Sequence, residues 1–344
     1  MTLSPWFRRT GAVLLTTAAA GVLLATPAEA ASTGSAKSNG TVVTFTAGKG
    51  KTDKVVITLS GKTFTIDDRV KIKAGKGCKA VKGDSTKVKC KITGYADEAS
   101  LVVDLGDGND SVNNKTHTEM TAHGGTGKDK LYGGTNEDKL YGDSGADQLY
   151  GRGDEDQLYG GSGNDLLYGG GHTDFLHGGT GNDQLWGGGS WDTMNGGPGA
   201  DEFHGGTGTY DGVSYSERTK AVYADNDGRK RDDGEAGEHD TIFTDVERII
   251  GGAGPDRLTG GPGNDYLDGN GGDDVLRGGA GNDHLFGGGG EDKMYGDAGI
   301  DELLATDSTV EGEPDLLNGG ADNDNCLYQP KLDTLVDCEW LYEY

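Results

Sequence analysis

The nonapeptide Gly160-Gly-Ser-Gly-Asn-Asp165-Leu-Leu167-Tyr168 is one of fifteen copies of a single phrase between Gly124 and Leu304. Nine copies run unbroken from Gly124 to His204, and six run from Gly251 to Leu304. A fixed short period marks an architecture in which each unit buries its apolar side only against its neighbours. The first position is always Gly. The sixth is always Asp: Asp129, Asp138, Asp147, Asp156, Asp165, Asp174, Asp183, Asp192 and Asp201, then Asp256, Asp265, Asp274, Asp283, Asp292 and Asp301. The eighth is Leu, Met or Phe, from Leu131 to Phe203 and from Leu258 to Leu303.

Glycine at positions one, two and four suits a tight turn, and the last three residues form a short strand. Side chains alternate along a strand, so position eight faces inward while positions seven and nine face out. Two strands with their turns then close a flattened coil of eighteen residues, and coils stack at about 4.8 Å as a parallel β-roll. One apolar residue in nine is a thin core for so glycine-rich a chain. Stacking also sets each Asp beside the Asp two repeats away. At about 4.8 Å two carboxylates repel by roughly 3.5 kcal/mol at an effective dielectric of 20. A hard divalent ion between coils reverses the sign, and turn carbonyls supply further oxygen ligands of the kind calcium prefers. The Asp column is therefore read as a calcium ladder holding several ions. If Asp residues two repeats apart share one, the blocks offer about seven and about four positions by stacking geometry.

The phrase is similar to the Gly-Gly-x-Gly-x-Asp-x-hydrophobic-x repeat of the RTX, or hemolysin-type calcium-binding, family. The resemblance implies a right-handed β-roll, disordered without calcium and folding in millimolar calcium outside the cell. It also implies that the fifteen Asp carboxylates and the turn carbonyls hold the ions. In the first block position two is Asp143 or Arg152 in two copies, and position four is Asn136, Asp154, His172 or Ser190 in four, so irregular turns are expected around 136–190. Asp110, in Gly106-Asp-Gly-Asn-Asp110-Ser-Val112, resembles a leading copy, and Asp315, Asp324 and Asp333 continue the spacing after the second block.

Arg8 and Arg9, an apolar stretch from Gly11 to Ala25, and Ala28-Glu29-Ala30 read as a secretory signal peptide over residues 1–30. Its removal leaves a chain expected to be secreted, extracellular or wall-associated, with no transmembrane segment. The net charge of −26 argues against general nucleic-acid binding. Charge is unevenly spread: residues 31–100 hold 13 Lys, Arg69 and six acids. This basic module reads as a solvated strand surface, with docking on an anionic cell-wall polymer as the alternative. The four cysteines fall into local pairs, Cys78 with Cys90 and Cys326 with Cys338, which in an exported chain favours two disulfides over metal ligation. Connectivity across the pairs stays open on sequence grounds. Their positions outside the repeat blocks suggest stapled caps at both ends of the roll.

The resulting organisation is all-β. A linker at 31–40 precedes a basic β module at 41–123, the first block at 124–204, a β insertion at 205–250, the second block at 251–304, and degenerate repeats with a C-terminal cap at 305–344. In the insertion, the sixth-position Asp is displaced to Asp211, and a loop carries Asp225, Asp227, Asp232, Asp233, Glu235, Glu238 and Asp240. That loop reads as a solvated insertion, with an extra calcium site as the alternative. His-Glu-x-x-His, Gly-x-Ser-x-Gly and phosphate-loop motifs are absent from the sequence, and repeated acids in identical settings cannot divide acid and base roles. No enzymatic activity is expected. Position nine carries Tyr132, Tyr150, Tyr168 and Trp186 on alternate repeats, an outward stripe read as a stiffening stack. The alternative is a platform for a glycan or protein partner of a surface adhesin or scaffold.

Overall fold

A computed structural model describes residues 33–305 and 312–343; the signal peptide expected at 1–30 lies outside the described residues. Each repeat turns at its glycines and runs straight from position seven, as in Gln157–Ser162 and Leu166–Gly171. The strands pair in parallel with partners eighteen residues away: Leu149 with Leu167 and Leu185 on one face, Leu140 with Leu158 and Leu176 on the other. All six leucines are fully buried. Position eight thus builds two facing apolar columns, and consecutive repeats alternate between them.

Among the described residues the strands form sheets of sixteen, eleven and seven strands. The sixteen-stranded sheet passes through the insertion without interruption, since Met194, Val213, Ile249 and Leu267 are successive register partners. The two repeat blocks are therefore one parallel β-roll with one unbroken face. The opposite face is divided at the insertion. Its eleven-stranded part ends at Thr241–Ile242, and its seven-stranded part begins at Gly234–Glu235 and Val222–Asp225.

The basic module is continuous with the roll. Phe45, Val103, Ala122 and Leu140 are successive partners in one column, and Val55, Val112 and Leu131 in the other. Residues 34–38, expected in a linker, instead form the strand Gly34–Ser38, antiparallel to Val42–Thr46 and parallel to Ile72–Ala74. Its inward positions are Gly34, Ala36 and Ser38, small enough to sit beside Phe45. An antiparallel sheet of Lys54–Ser60, Thr63–Asp67, Asp84–Lys91 and Cys78–Val81 closes this end, and the disulfide Cys78–Cys90 joins two register partners. The other end carries the expected disulfide staple. Cys326–Cys338 is formed, but Trp340–Glu343 adds to Asn325–Tyr328 as one more parallel rung, leaving Trp340, Leu341 and Tyr342 exposed.

The turn at 133–141 is irregular, since neither Gly134 nor Asn136 takes positive φ and the Gly134 N–H bonds Asp138, but the other turns up to 190 are regular, contrary to expectation. Asp143, Arg152, Asp154, His172 and Ser190 adopt the positive φ that glycine takes elsewhere, from +69° to +89°. The neighbouring ladder holds them there, as in the register of Arg152 with Gly170. At Gly163, with φ of +134°, no side chain fits, because a Cβ would overlap the carbonyl oxygen of Gly145 in the adjacent coil. A side chain in the left-handed region costs about 1–2 kcal/mol. Ser190→Gly and His172→Gly should each stabilise the calcium-loaded chain by about 0.5–1 kcal/mol, net of glycine's greater freedom when unfolded. Thermal unfolding in excess calcium checks this; a lowered midpoint in both variants contradicts it.

Candidate metal centre

Position six lies where the turn enters the strand, and the fifteen repeat aspartates are all at most 3% exposed. Stacking arranges them in a column along each edge where turn meets strand. Within a column, the backbone N–H of each Asp donates to Oδ1 of the Asp one coil onward. Asp129 donates to Asp147 at 2.7 Å, Asp147 to Asp165 at 2.7 Å, Asp165 to Asp183 at 2.8 Å and Asp183 to Asp201 at 2.8 Å. The other column of the first block links Asp138, Asp156, Asp174 and Asp192 in the same way. In the second block Asp256 leads to Asp274 and Asp292, while Asp265 leads to Asp283 and Asp301. The backbone spacing of the roll fixes Oδ1 of every repeat carboxylate except that of Asp265, which accepts the side-chain amide of Asn226.

The second oxygen divides the sites into two kinds. Oδ2 of Asp129, Asp147, Asp156, Asp165, Asp174, Asp183, Asp192, Asp201, Asp274, Asp283 and Asp301 is buried without a hydrogen-bond partner. In Asp138, Asp256 and Asp265 it accepts the N–H of the position-two residue of its own turn, Gly134, Gly252 or Gly261, at 2.5–2.7 Å. A buried carboxylate oxygen with no donor is costly. The first-position glycine keeps space open in front of it: a Cβ on Gly124 would lie 2.7 Å from Oδ2 of Asp129 and 2.8 Å from the carbonyl oxygen of Gly142 in the next coil. Carboxylate and carbonyl oxygens converging from successive coils, with no nitrogen or sulfur among them, fit a hard divalent cation such as calcium.

Electrostatics point the same way. Burial pushes the carboxyls of Asp156, Asp174, Asp201 and Asp274 up to about 8. Those of Asp138, Asp147, Asp183, Asp192 and Asp283 rise to about 7, and those of Asp165, Asp265 and Asp301 to about 6, for the same first reason. Asp129 and Asp256 are raised as well. The N–H donated to Oδ1 opposes burial and loses. Keeping one group of pKa about 7 ionised above that pH costs about 4 kcal/mol. A cation between the coils offsets that cost.

The columns extend past the nonapeptides. Asp110, the leading copy, is buried and donates to Asp129, and Asp201 donates to Asp240. Asp192 donates to Asp211, whose N–H bonds Glu247. Asp292 donates to Asp315 and Asp315 to Asp333, while Asp301 leads to Asp324 and then Glu339. Periodicity missed Asp53, Asp240, Glu247 and Glu339 because insertions break the count of nine. A shorter signal finds them: an acid two residues before an apolar residue in register with position eight, as in Asp53-Lys-Val55, Asp240-Thr-Ile242, Glu247-Arg-Ile249 and Glu339-Trp-Leu341. In the acidic loop, Asp225, Asp227 and Asp232 bring carboxylate oxygens within 4.8 Å of one another, but Asp227 and Asp232 are exposed. Asp233 instead accepts the N–H groups of Asp225 and Ile242.

The aromatic stripe stacks. Tyr132 and Tyr150 lie 4.7 Å apart between ring centroids, Tyr150 and Tyr168 5.3 Å, and Tyr168 and Trp186 5.6 Å, and the stack continues through His204 to Phe243. The faces of the inner rings are covered by their neighbours, as expected of a stack.

Two outcomes follow for this site. Asp165→Asn should lower the number of calcium ions bound, whereas Asp256→Asn, whose second oxygen already has a donor, should leave it unchanged; equilibrium dialysis with calcium distinguishes the two. Because the folded-state values are raised, the calcium-free roll is favoured below the unfolded carboxylate value near 3.8 and loses that advantage as pH climbs through 6–8. Strand signal of the chelated chain should therefore fall from pH 4 to pH 8, and calcium added near pH 5, where the chelated roll still holds protonated carboxyls, should release protons, measurable by pH-stat titration.

The RTX calcium-binding nonapeptide repeat (4 copies) matches residues 121–149, 133–167, 150–185, 168–203, 186–209, 241–276 and 268–303. No curated protein matches the chain. Repeat, roll and buried Asp ladder agree, and the chain belongs to the RTX calcium-binding nonapeptide-repeat family, whose repeats bind calcium.

Proposed function

We propose that this is an exported calcium-binding protein without catalytic activity, whose chain folds when calcium loads the Asp columns. The observation that carries the reading is the run of buried carboxylates whose second oxygen has no donor. Without cations those groups oppose the stacking that buries the leucines, so folding and loading are one equilibrium. The leader-like sequence at 1–30 and the two disulfides support export to a compartment where calcium is abundant. Carboxylates in near-equivalent settings along a column suit holding ions more than acid–base chemistry. In circular dichroism, the chelated chain at neutral pH should lack strand signal, gain it with calcium, and not gain it with magnesium. Equal strand content with and without calcium would overturn the proposal.

A second reading, a calcium-stabilised surface scaffold or adhesin that docks on an anionic polymer, is favoured by one feature of the closed end. Lys79 stands directly across from Lys89, with Lys91 two residues further along the same strand. Like charges placed opposite each other destabilise a sheet. All three are exposed, and none forms an ion pair among the described residues. Beside them Ser60, Thr63 and Thr65 line a concavity of about 760 Å³. Phosphate or sulfate groups match this mix of ammonium and hydroxyl donors. The full chain should be retained on immobilised heparin and released by salt. K79Q/K89Q/K91Q should abolish retention; unaltered elution would exclude this face.

A further inference from the structure

Position two of the copy that begins at Gly151 is Arg152, held at a φ of +89° where most copies place glycine. A long side chain in that region is a backbone outlier, and such outliers gather at functional sites. The guanidinium is fixed in place. Nη1 donates to the carbonyl oxygens of Gly133 at 2.8 Å and Asn114 at 3.2 Å, and the guanidinium carbon stands 5.2 Å from the centroid of the Tyr132 ring. No carboxylate is among these contacts, and they leave the other N–H groups of the guanidinium for a second acceptor.

The loop between Ser111–Asn114 and Met120–Gly127 is equally well held. Asn114 and Thr116 are buried; Oδ1 of Asn114 accepts the N–H of Thr116 at 3.1 Å and its hydroxyl at 2.7 Å, while Nδ2 donates to the Thr118 carbonyl at 2.8 Å. At Gly134 a Cβ would stand 2.5 Å from the carbonyl oxygen of Thr116, so the loop lies directly against the next coil. Lys115 and His117, on either side of Thr116, are exposed. Lys115, His117, Thr135 and Arg152 line one concavity of about 460 Å³, and no acid is among its lining residues. None of the three bases forms an ion pair among the described residues. In a chain of net charge −26 this wall is a local excess of positive charge.

We propose that this concavity binds a doubly charged tetrahedral oxyanion of the phosphate class, free or as a phosphate monoester, with Arg152, Lys115 and His117 as the N–H donors and the Thr135 hydroxyl beside them. Guanidinium and ammonium groups recognise such oxygens through charge-assisted hydrogen bonds. A guanidinium already tied to two carbonyls and a loop already tied by Asn114 lose little freedom on binding. The site shares no residue with the Asp columns or with the face of Lys79, Lys89 and Lys91, so it stands or falls apart from both.

An amide NMR titration of the full chain in calcium tests it, with sodium sulfate for the free anion, glucose 6-phosphate for the monoester and sodium acetate as a singly charged control at matched ionic strength. Sulfate or glucose 6-phosphate should give saturable shifts at 115–117, 134–135 and 152–153, with acetate weaker than either; the tighter of the two shows whether the free or the esterified group is preferred. Arg152→Gly suits the backbone at that position and should weaken binding about tenfold or more. K115Q/H117Q should weaken it likewise, whereas K128Q, which removes an exposed lysine outside the concavity, should leave it unchanged. No saturation with either anion overturns the site, as does binding at parental strength in the folded Arg152→Gly and K115Q/H117Q variants. An equal loss in K128Q also overturns it, by showing attraction to net charge alone. Should Arg152→Gly not fold, K115Q/H117Q decides, since both of its side chains are exposed.

Discussion

A column of buried carboxylates, each with one oxygen held by the backbone of the coil before it, is the constraint from which the rest of this molecule follows. The N–H to Oδ1 bonds set the carboxylates at the strand spacing of the sheets, and no side chain could place them more regularly. The same bonds leave Oδ2 pointing into a space walled by glycine and by carbonyl oxygens of the next coil. The leucine columns supply cohesion, but one small apolar column per face is modest beside so many buried acids. Cohesion and repulsion act along the same axis, and in the function proposed above a bound ion tips the balance between them.

That arrangement explains why the roll can absorb interruptions. The insertion at 205–250 breaks the count of nine and divides one face, yet Val213 and Ile249 keep the place of position eight in the other column, and Asp211 and Glu247 keep the place of position six. What persists is an acid at the turn and an apolar residue two positions later. The glycines can yield: Arg152, His172 and Ser190 take up the same left-handed backbone at a local cost. The strict phrase is the least strained version of a looser rule.

The ends differ because their neighbours differ. At the basic end, antiparallel strands cover the parallel edge. At the other end, a further parallel rung leaves Trp340, Leu341 and Tyr342 exposed. The stacked Tyr132, Tyr150, Tyr168 and Trp186 run along one face of the first repeat block. Among the described residues no helix is long and apolar enough to cross a membrane.

The amino-acid sequence alone determined the eighteen-residue coil, the inward position eight and the fifteen aspartates of the columns, because a short fixed period leaves one way to alternate turn and strand. It could not reveal which carboxylates keep an unpartnered oxygen, since Asp165 and Asp256 have the same place in the phrase and differ only in whether a turn N–H rotates inward. The cysteine spacing favoured local pairing, and the fold decided it by setting Cys78 directly across from Cys90. Nor could the sequence show that the two blocks share one face or that residues 34–38 form a strand. Those depend on contacts between segments separated by insertions of irregular length. Only stacking in three dimensions brings such segments into register.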